Sequence, residues 1–197
     1  MIYDNFDSFT YNLVDYFARL GVECRVLRND VSLEKVTEEK YEALVLSPGP
    51  QTPEKAGGLM KVFSYYADRV PVLGICLGHQ AIGVHYGAGL KKAIRPMHGK
   101  VSQMQCESHY LWQGITNPSS VVRYHSLILD DLPDSLEAIA RTAEGEIMAI
   151  AHKELPVCGL QFHPEAVLTE NGLDMLYNWV ARFGLTSEIA APAQNQI

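Results

Sequence analysis

Cys76 lies in the run Gly74-Ile75-Cys76-Leu77-Gly78-His79-Gln80. The apolar residues Val70 to Ile75, interrupted by Pro71, read as a short buried strand, and Gln80-Ala81-Ile82 opens a helix. A single cysteine therefore sits on a sharp strand-to-helix turn, the cysteine counterpart of a G-x-S-x-G nucleophile elbow. Glycines at 74 and 78 carry no Cβ, so the chain can turn tightly and backbone can approach the sulfur. The positive end of the following helix favours thiolate over thiol. A packed turn around a buried cysteine has the same pattern, so these residues taken alone leave both readings open.

A nucleophilic cysteine needs a base, and the base needs a group to orient it. Of the seven histidines, His163 ends the apolar run Val157–Phe162, and Glu165 follows two residues later. Residues i and i+2 of an extended chain point the same way, and Pro164 stiffens the link. Glu165 could accept from one imidazole nitrogen while the other faces Cys76; such sets assemble in space and not in sequence. The alternative is an ordinary strand-ending turn. His79, near the first turn of the helix after Cys76, could neighbour the site but reads better as a polar surface residue, and His85 lies on the same helix. His98 stands in Met97-His98-Gly99-Lys100, a small loop suited to facing a partner. His125-Ser126 ends a strand and could offer backbone groups to a ligand. His109 and His152 read as ordinary surface residues. No group of histidines and carboxylates has metal-ligand spacing, so no metal is expected in this chain. Neither a P-loop nor a G-x-G-x-x-G fingerprint is present, which leaves nucleotide binding unsupported.

The elements that must position these residues follow from periodicity. Met1–Tyr3 reads as a first strand, and a helix with Phe9, Leu13, Val14, Phe17 and Leu20 on one face ends at Gly21. Val22–Leu27 reads as a second strand, Val31–Tyr41 as a short amphipathic helix, and Ala43–Leu46 as a fully apolar third strand. The rigid loop Ser47-Pro48-Gly49-Pro50-Gln51-Thr52-Pro53 follows, either a plain connection or a fixed loop presenting backbone N–H groups. Gly57–Asp68 reads as a helix leading into the Cys76 strand. This β-α alternation predicts a doubly wound, mostly parallel sheet with helices on both faces. Ligands bind such sheets beyond the carboxyl ends of the strands, where Gly49 and Cys76 would both lie. The Cys76 helix runs over Gln80–Tyr86. Short strands at 101–105, 121–125, 136–141 and 147–152 read as antiparallel additions, and a last helix spans about 171–183. From Gly184 to 197 the chain loses its periodicity and reads as a flexible tail.

Composition narrows the class. The chain has 197 residues, 47% of them hydrophobic and 20% charged, with a net charge of −7. That size suits one domain with its own core, here residues 1–183. The acidic balance argues against nucleic-acid and anionic-membrane partners. No stretch approaches the roughly 18 apolar residues of a membrane span, and no signal peptide is visible. The four cysteines (24, 76, 106, 158) are scattered, which fits a reducing, cytoplasmic setting better than a disulfide framework.

Several segments together resemble class I (triad) glutamine amidotransferases. These are Asp4-Asn5-Phe6-Asp7-Ser8-Phe9-Thr10-Tyr11-Asn12-Leu13, Ser47-Pro48-Gly49-Pro50, the Gly74–Gln80 run, Met97–Lys100, Arg123-Tyr124-His125-Ser126-Leu127 and Gln161-Phe162-His163-Pro164-Glu165. The combination is similar to the glutaminase subunits of anthranilate synthase (component II) and of aminodeoxychorismate synthase. The resemblance runs from residue 1 to about 183. It implies the flavodoxin-like class I amidotransferase fold and a glutaminase in which Cys76 attacks the side-chain amide of L-glutamine. His163 would pass the proton to leaving ammonia and Glu165 would orient His163. Backbone N–H groups of Leu77 and Gly49 would hold the oxyanion. Gly49, Gln80, Ser126 and Leu127 would bind the substrate. The ammonia would go to a chorismate-using synthase subunit, docked in part on Met97, His98, Gly99 and Lys100. No cofactor is implied for this chain; magnesium and the chorismate chemistry would belong to the partner. Two positions depart from the pattern: Gln51 stands where relatives often carry Gly or Cys, and Ala166 replaces a common Ser. Two other readings compete, a stand-alone cysteine hydrolase of γ-glutamyl substrates and a non-catalytic glutamine-binding regulatory subunit. The intact Cys76/His163/Glu165 set argues against the latter.

Overall fold

In a computed structural model, which describes residues 1–185, a nine-stranded sheet runs through the molecule in the order β2-β1-β3-β4-β11-β10-β9-β6-β7. Its first half comprises β1 (Ile2–Asp4), β2 (Val26–Arg28), β3 (Leu44–Leu46), β4 (Val72–Ile75) and β11 (Val157–Leu160), all parallel. Its second half comprises β6 (Lys100–Cys106), β7 (Ser119–Arg123), β9 (Leu136–Thr142) and β10 (Ile147–His152), joined antiparallel. The parallel half has the strand order of flavodoxin-like sheets. Strands β3, β4 and β11 are buried at every position, as expected of parallel strands covered on both faces.

Helices α1 (Thr10–Arg19) and α5 (Gly172–Arg182) cover one face. Their Leu13, Phe17, Met175, Leu176, Trp179 and Val180 pack with Ile75, Leu160 and Phe162 from the sheet side. Helices α2 (Leu33–Val36), α3 (Leu59–Tyr66) and α4 (Leu77–Tyr86) cover the other face. Burying each large aliphatic or aromatic side chain contributes roughly 1.5–3 kcal/mol. Helix α1 stops where Gly21 turns left-handed (φ 74°), and α4 stops likewise at Gly87 (φ 102°).

Several elements differ from the sequence expectation. The second strand is three residues long, because Val22 N–H is used to close the end of α1 by donating to Phe17 O. The helix expected over 31–41 is one turn, capped by Ser32. Strands β5 (Gly89–Lys92) and β8 (Leu127–Asp130) form a separate antiparallel pair that periodicity did not mark. The expected tail falls, from residue 186 onward, outside the described residues. Before it, Leu185 N–H still donates to Val180 O at 3.2 Å.

Candidate active site

Cys76 occupies the turn between β4 and α4 with φ 49° and ψ −98°. A side chain other than glycine rarely takes a positive φ, and such strain clusters at functional sites. The turn is over-determined by its surroundings. Cys76 N–H donates to Leu160 O (2.7 Å), and Cys76 O accepts from Gln80 N–H (3.0 Å). The flanking glycines serve packing more than the sulfur. A Cβ on Gly74 would meet Gly78 backbone at 2.5 Å, and a Cβ on Gly78 would meet Leu46 O at 2.4 Å. They let α4 lie against the sheet so that its N-terminus falls at the strand ends. The helix begins at Leu77, three residues earlier than the apolar period suggested, so Gln80 already lies in its first turn.

His163 and Glu165 follow β11, beside β4 in the sheet. Both are buried, and His163 Nδ1 lies 2.7 Å from Glu165 Oε1. Burial alone would pull the imidazole below its usual value. The neighbouring Cys76 and the hydrogen-bonded Glu165 carboxylate outweigh that and raise it to about 10. The direction of the shift favours the protonated ring. The second Glu165 oxygen has no hydrogen-bond partner, beside the position where Ala166 stands. Thr169 Oγ1 donates to His163 O (2.7 Å) and fixes the loop. Phe9 and Tyr124 flank the imidazole edge-on, with ring centroids at 5.4 and 5.1 Å.

A pocket of about 220 Å³ opens beside the sulfur, lined by Gly49, Pro50, Gln51, Cys76, Gln80, Tyr124, His125, Ser126 and Leu127. It is smaller than sites for drug-sized ligands, which run to ~300–1,000 Å³. Gly49, Gln80, Ser126 and Leu127 are therefore brought together around Cys76. The 97–100 segment borders the site from outside, with His98, Gly99 and Lys100 exposed; it meets the pocket lining through the His98–Tyr124 ring contact at 5.6 Å and through Met97 N–H, which donates to His125 O at 2.9 Å.

Residues that the sequence reading left without a role prove to hold this site. Asn5 donates its side-chain Nδ2 to Ser47 O (2.9 Å) and its backbone N–H to Ser47 Oγ (2.8 Å). It packs so close to Gly49 that a Cβ there would sit 2.5 Å from Asn5 Cβ. Gln51 takes φ 71°, a left-handed conformation that suits glycine, one of the two residues, Gly or Cys, that the resemblance puts at that place. Gln161 donates to Cys76 Sγ at 3.7 Å. An isolated Asn or Gln in a motif gives no sign of which backbone it will meet, so no sequence signal separated these from surface amides.

Three histidines differ from expectation. His79 is fully buried, with its pKa lowered to about 4 by burial, because α4 turns that side chain towards Gly159 of the sheet. His109 is half-buried and accepts from Leu111 N–H at 3.4 Å, capping a short 3-10 turn. His152 is half-buried and accepts from two backbone N–H groups, those of Glu154 and Leu155. Among the described residues no group of three or more His, Cys, Asp or Glu side chains could hold a metal ion, and no helix is long and apolar enough to cross a membrane.

A cysteine on a strained elbow with a small pocket beside it, and a buried His–Glu pair at the end of the neighbouring strand, form the kind of arrangement that cysteine-dependent hydrolases and transferases use. The model of the family "Glutamine amidotransferase class-I" matches residues 1–183, and the chain belongs to that family. It is 45% identical over 192 residues to anthranilate synthase component 2 of Pseudomonas aeruginosa, covering 93% of this chain and 96% of the relative. It is 42% identical over 186 residues to the aminodeoxychorismate/anthranilate synthase component 2 of Bacillus subtilis, covering 93% and 96%. Aminodeoxychorismate synthase component 2 of Escherichia coli is 42% identical over 185 residues, covering 92% and 99%. Among solved structures, a putative GMP synthase subunit from Thermoplasma acidophilum superposes with a TM-score of 0.82 at 27% identity, covering 93% of both chains.

Proposed function

We propose that this chain, over residues 1–183, is the glutaminase subunit of a chorismate-using synthase, with anthranilate synthase preferred and aminodeoxychorismate synthase the alternative. The observation that carries the reading is the strained Cys76 elbow facing a pocket bounded by Gly49, Gln80, Ser126 and Leu127, with the His163–Glu165 pair beside it. The preference rests on the relatives' names. It is narrow, because the Bacillus subtilis relative carries both.

The chemistry then runs as an acyl transfer through sulfur. The Cys76 thiolate adds to the side-chain amide carbon of L-glutamine, and the carbonyl oxygen becomes an oxyanion. Leu77 N–H, at the start of α4, and Gly49 N–H are assigned to hold it, as fixed donors acting where charge develops. The His163 imidazolium gives its proton to the amide nitrogen, the C–N bond breaks and ammonia leaves. A γ-glutamyl thioester remains on Cys76. Water then adds to it, neutral His163 takes the water proton, and glutamate departs as the C–S bond breaks. Glu165 keeps the imidazole oriented in both halves. Ser126, Leu127 and Gln80 are assigned to the amino-acid end of glutamine, and Met97–Lys100 to the partner contact. This chain needs no cofactor for the scheme, and its setting is the cytoplasm.

The test is glutamate release by the purified chain, alone and mixed with each candidate chorismate-using subunit. Stimulation by one of them is expected, and it names the pathway. High activity that no partner changes would replace this reading with a stand-alone hydrolase.

A further inference from the structure

Behind the pocket runs a chain of hydrogen bonds that the triad does not account for. Gln161 is fully buried and donates Nε2–H to Cys76 Sγ. Its Oε1 accepts from Gln80 Nε2 at 3.2 Å, and Gln80 Nε2 also donates to Leu127 O at 3.0 Å. His125 Nδ1 lies 3.0 Å from the same carbonyl. His125 Nε2 accepts from Arg123 Nε at 3.1 Å. Arg123 is buried against Glu146 as an ion pair and also donates to Ser102 Oγ at 3.2 Å. The remaining oxygen of Glu146 accepts from Ile94 N–H at 2.8 Å. Ile94 itself is 64% exposed.

Every link has a fixed direction. Arginine has no acceptor, so His125 must present a lone pair at Nε2 and its proton at Nδ1. Burial and the Arg123 charge push His125 down to about 3, which keeps it neutral and in that tautomer. Leu127 O is an acceptor only, so the Gln80 amide must turn its NH2 inward. That makes Gln161 Oε1 the acceptor and leaves the Gln161 NH2 facing the sulfur. Two further bonds strap the exposed segment to this chain: Ala93 N–H to Ser126 O and Met97 N–H to His125 O, both at 2.9 Å. A buried ion pair is a poor source of net stability, because desolvation offsets the attraction. It is a good source of orientation, since the forked guanidinium has its Nε, Nη1 and Nη2 each engaged here.

We propose that the buried Arg123–Glu146 pair positions the nucleophile. Acting through His125, Leu127, Gln80 and Gln161, it sets the N–H that faces the Cys76 sulfur, and through Ile94 N–H it ties that donor to the exposed 93–97 segment. The proposal rests on the reading of Cys76 as the nucleophile. Gln161 supplies the donor, which steadies the thiolate and its rotamer. Arg123 and Glu146 are positioning residues, and a partner docking over 93–97 has through them a direct hold on the sulfur.

The experiment is alkylation of the full chain by iodoacetamide at neutral pH, with Cys76 read by peptide mass spectrometry against Cys24 and Cys106 in the same sample. Gln161→Leu is expected to slow Cys76 about tenfold relative to those references, and Glu146→Gln several-fold. The double variant should be no slower than Gln161→Leu alone, since both act through one chain. Ile94→Pro, which removes that N–H donor and fixes the backbone at an exposed position, should slow Cys76 in the wild-type background and add nothing to Gln161→Leu. It decides the matter should Glu146→Gln not fold. A Glu146→Gln protein that melts lower but keeps the wild-type Cys76 ratio would overturn the proposal, as would additive effects in the double variant. Wild-type Cys76 reacting no faster than Cys24 would instead remove the nucleophile reading itself.

Discussion

His163 Nδ1 and Glu165 Oε1 lie 2.7 Å apart, with both side chains closed to solvent. The carboxylate does two things at that distance. It fixes which ring nitrogen faces away from Cys76, and, together with Cys76, it raises the pKa of an imidazole that burial would otherwise lower. Removing the charge while keeping the shape separates these roles. Glu165→Gln should lower glutamine-dependent turnover by on the order of 10²–10⁴, the range for losing an orienting or proton-transferring group.

The same pair predicts a pH dependence of stability. The folded pKa of His163, about 10, lies above its ordinary 6.5. A raised pKa stabilises the fold in full below the unfolded value and loses that contribution as pH rises through the folded one. Glu165→Gln should therefore melt below wild type by the widest margin near pH 6, and the gap should narrow towards pH 10. Thermal melts of both proteins across that range check it; a gap that widens with pH would contradict the assignment.

Packing at the elbow makes a separate prediction. A Cβ at Gly78 would lie 2.4 Å from Leu46 O and 2.6 Å from Leu46 Cβ, at the end of β3. Backbone in a central parallel strand has little freedom to move aside. Gly78→Ala should cost about 3 kcal/mol or more, which for a domain of this size lowers the melting temperature by roughly 6–12 °C. Calorimetry measures it directly, and a shift under about 2 °C would mean that α4 is more loosely seated than the geometry shows.

Much of this site was legible in the sequence because its parts obey local rules. Cys76 and His163 each end an apolar run, and such runs place residues at one edge of a parallel sheet. Glycines two positions either side of Cys76 mark the tight approach of α4. What stayed hidden depends on contacts distant in the chain. Nothing near His79 shows that α4 turns it inward onto Gly159. Strand β5 carries Lys91 and Lys92 and becomes a strand only by pairing with β8. Asn5, Arg123, Glu146 and Gln161 act through partners on other elements, and a polar residue in isolation does not name its partner.

Separating glutaminase from synthase chemistry gives the next test. In the assembled complex, Cys76→Ala should abolish glutamine-dependent product formation and leave ammonia-dependent formation within about twofold of wild type. The alanine has no sulfur to carry the acyl group, yet it removes no contact that the partner's chemistry needs. Loss of both activities would make Cys76 a structural or interface residue.

The exposed loop provides the last test. His98 and Lys100 are exposed, and His98 meets only the edge of Tyr124, whose ring in turn stands against His163. Exposed substitutions of this kind change stability by no more than about 0.5 kcal/mol, so a functional loss at these positions reports on docking. Lys100→Glu reverses a charge at the start of β6 and should weaken partner affinity about tenfold, with a matching loss of stimulated glutamate release at limiting partner. His98→Ala should leave affinity nearer wild type and reduce the stimulation at saturating partner, because it deletes the ring contact leading to Tyr124 and His163. Titration of the partner into each variant, followed by glutamate release, distinguishes the two effects. Normal affinity together with normal stimulation in both variants would remove Met97–Lys100 from the interface.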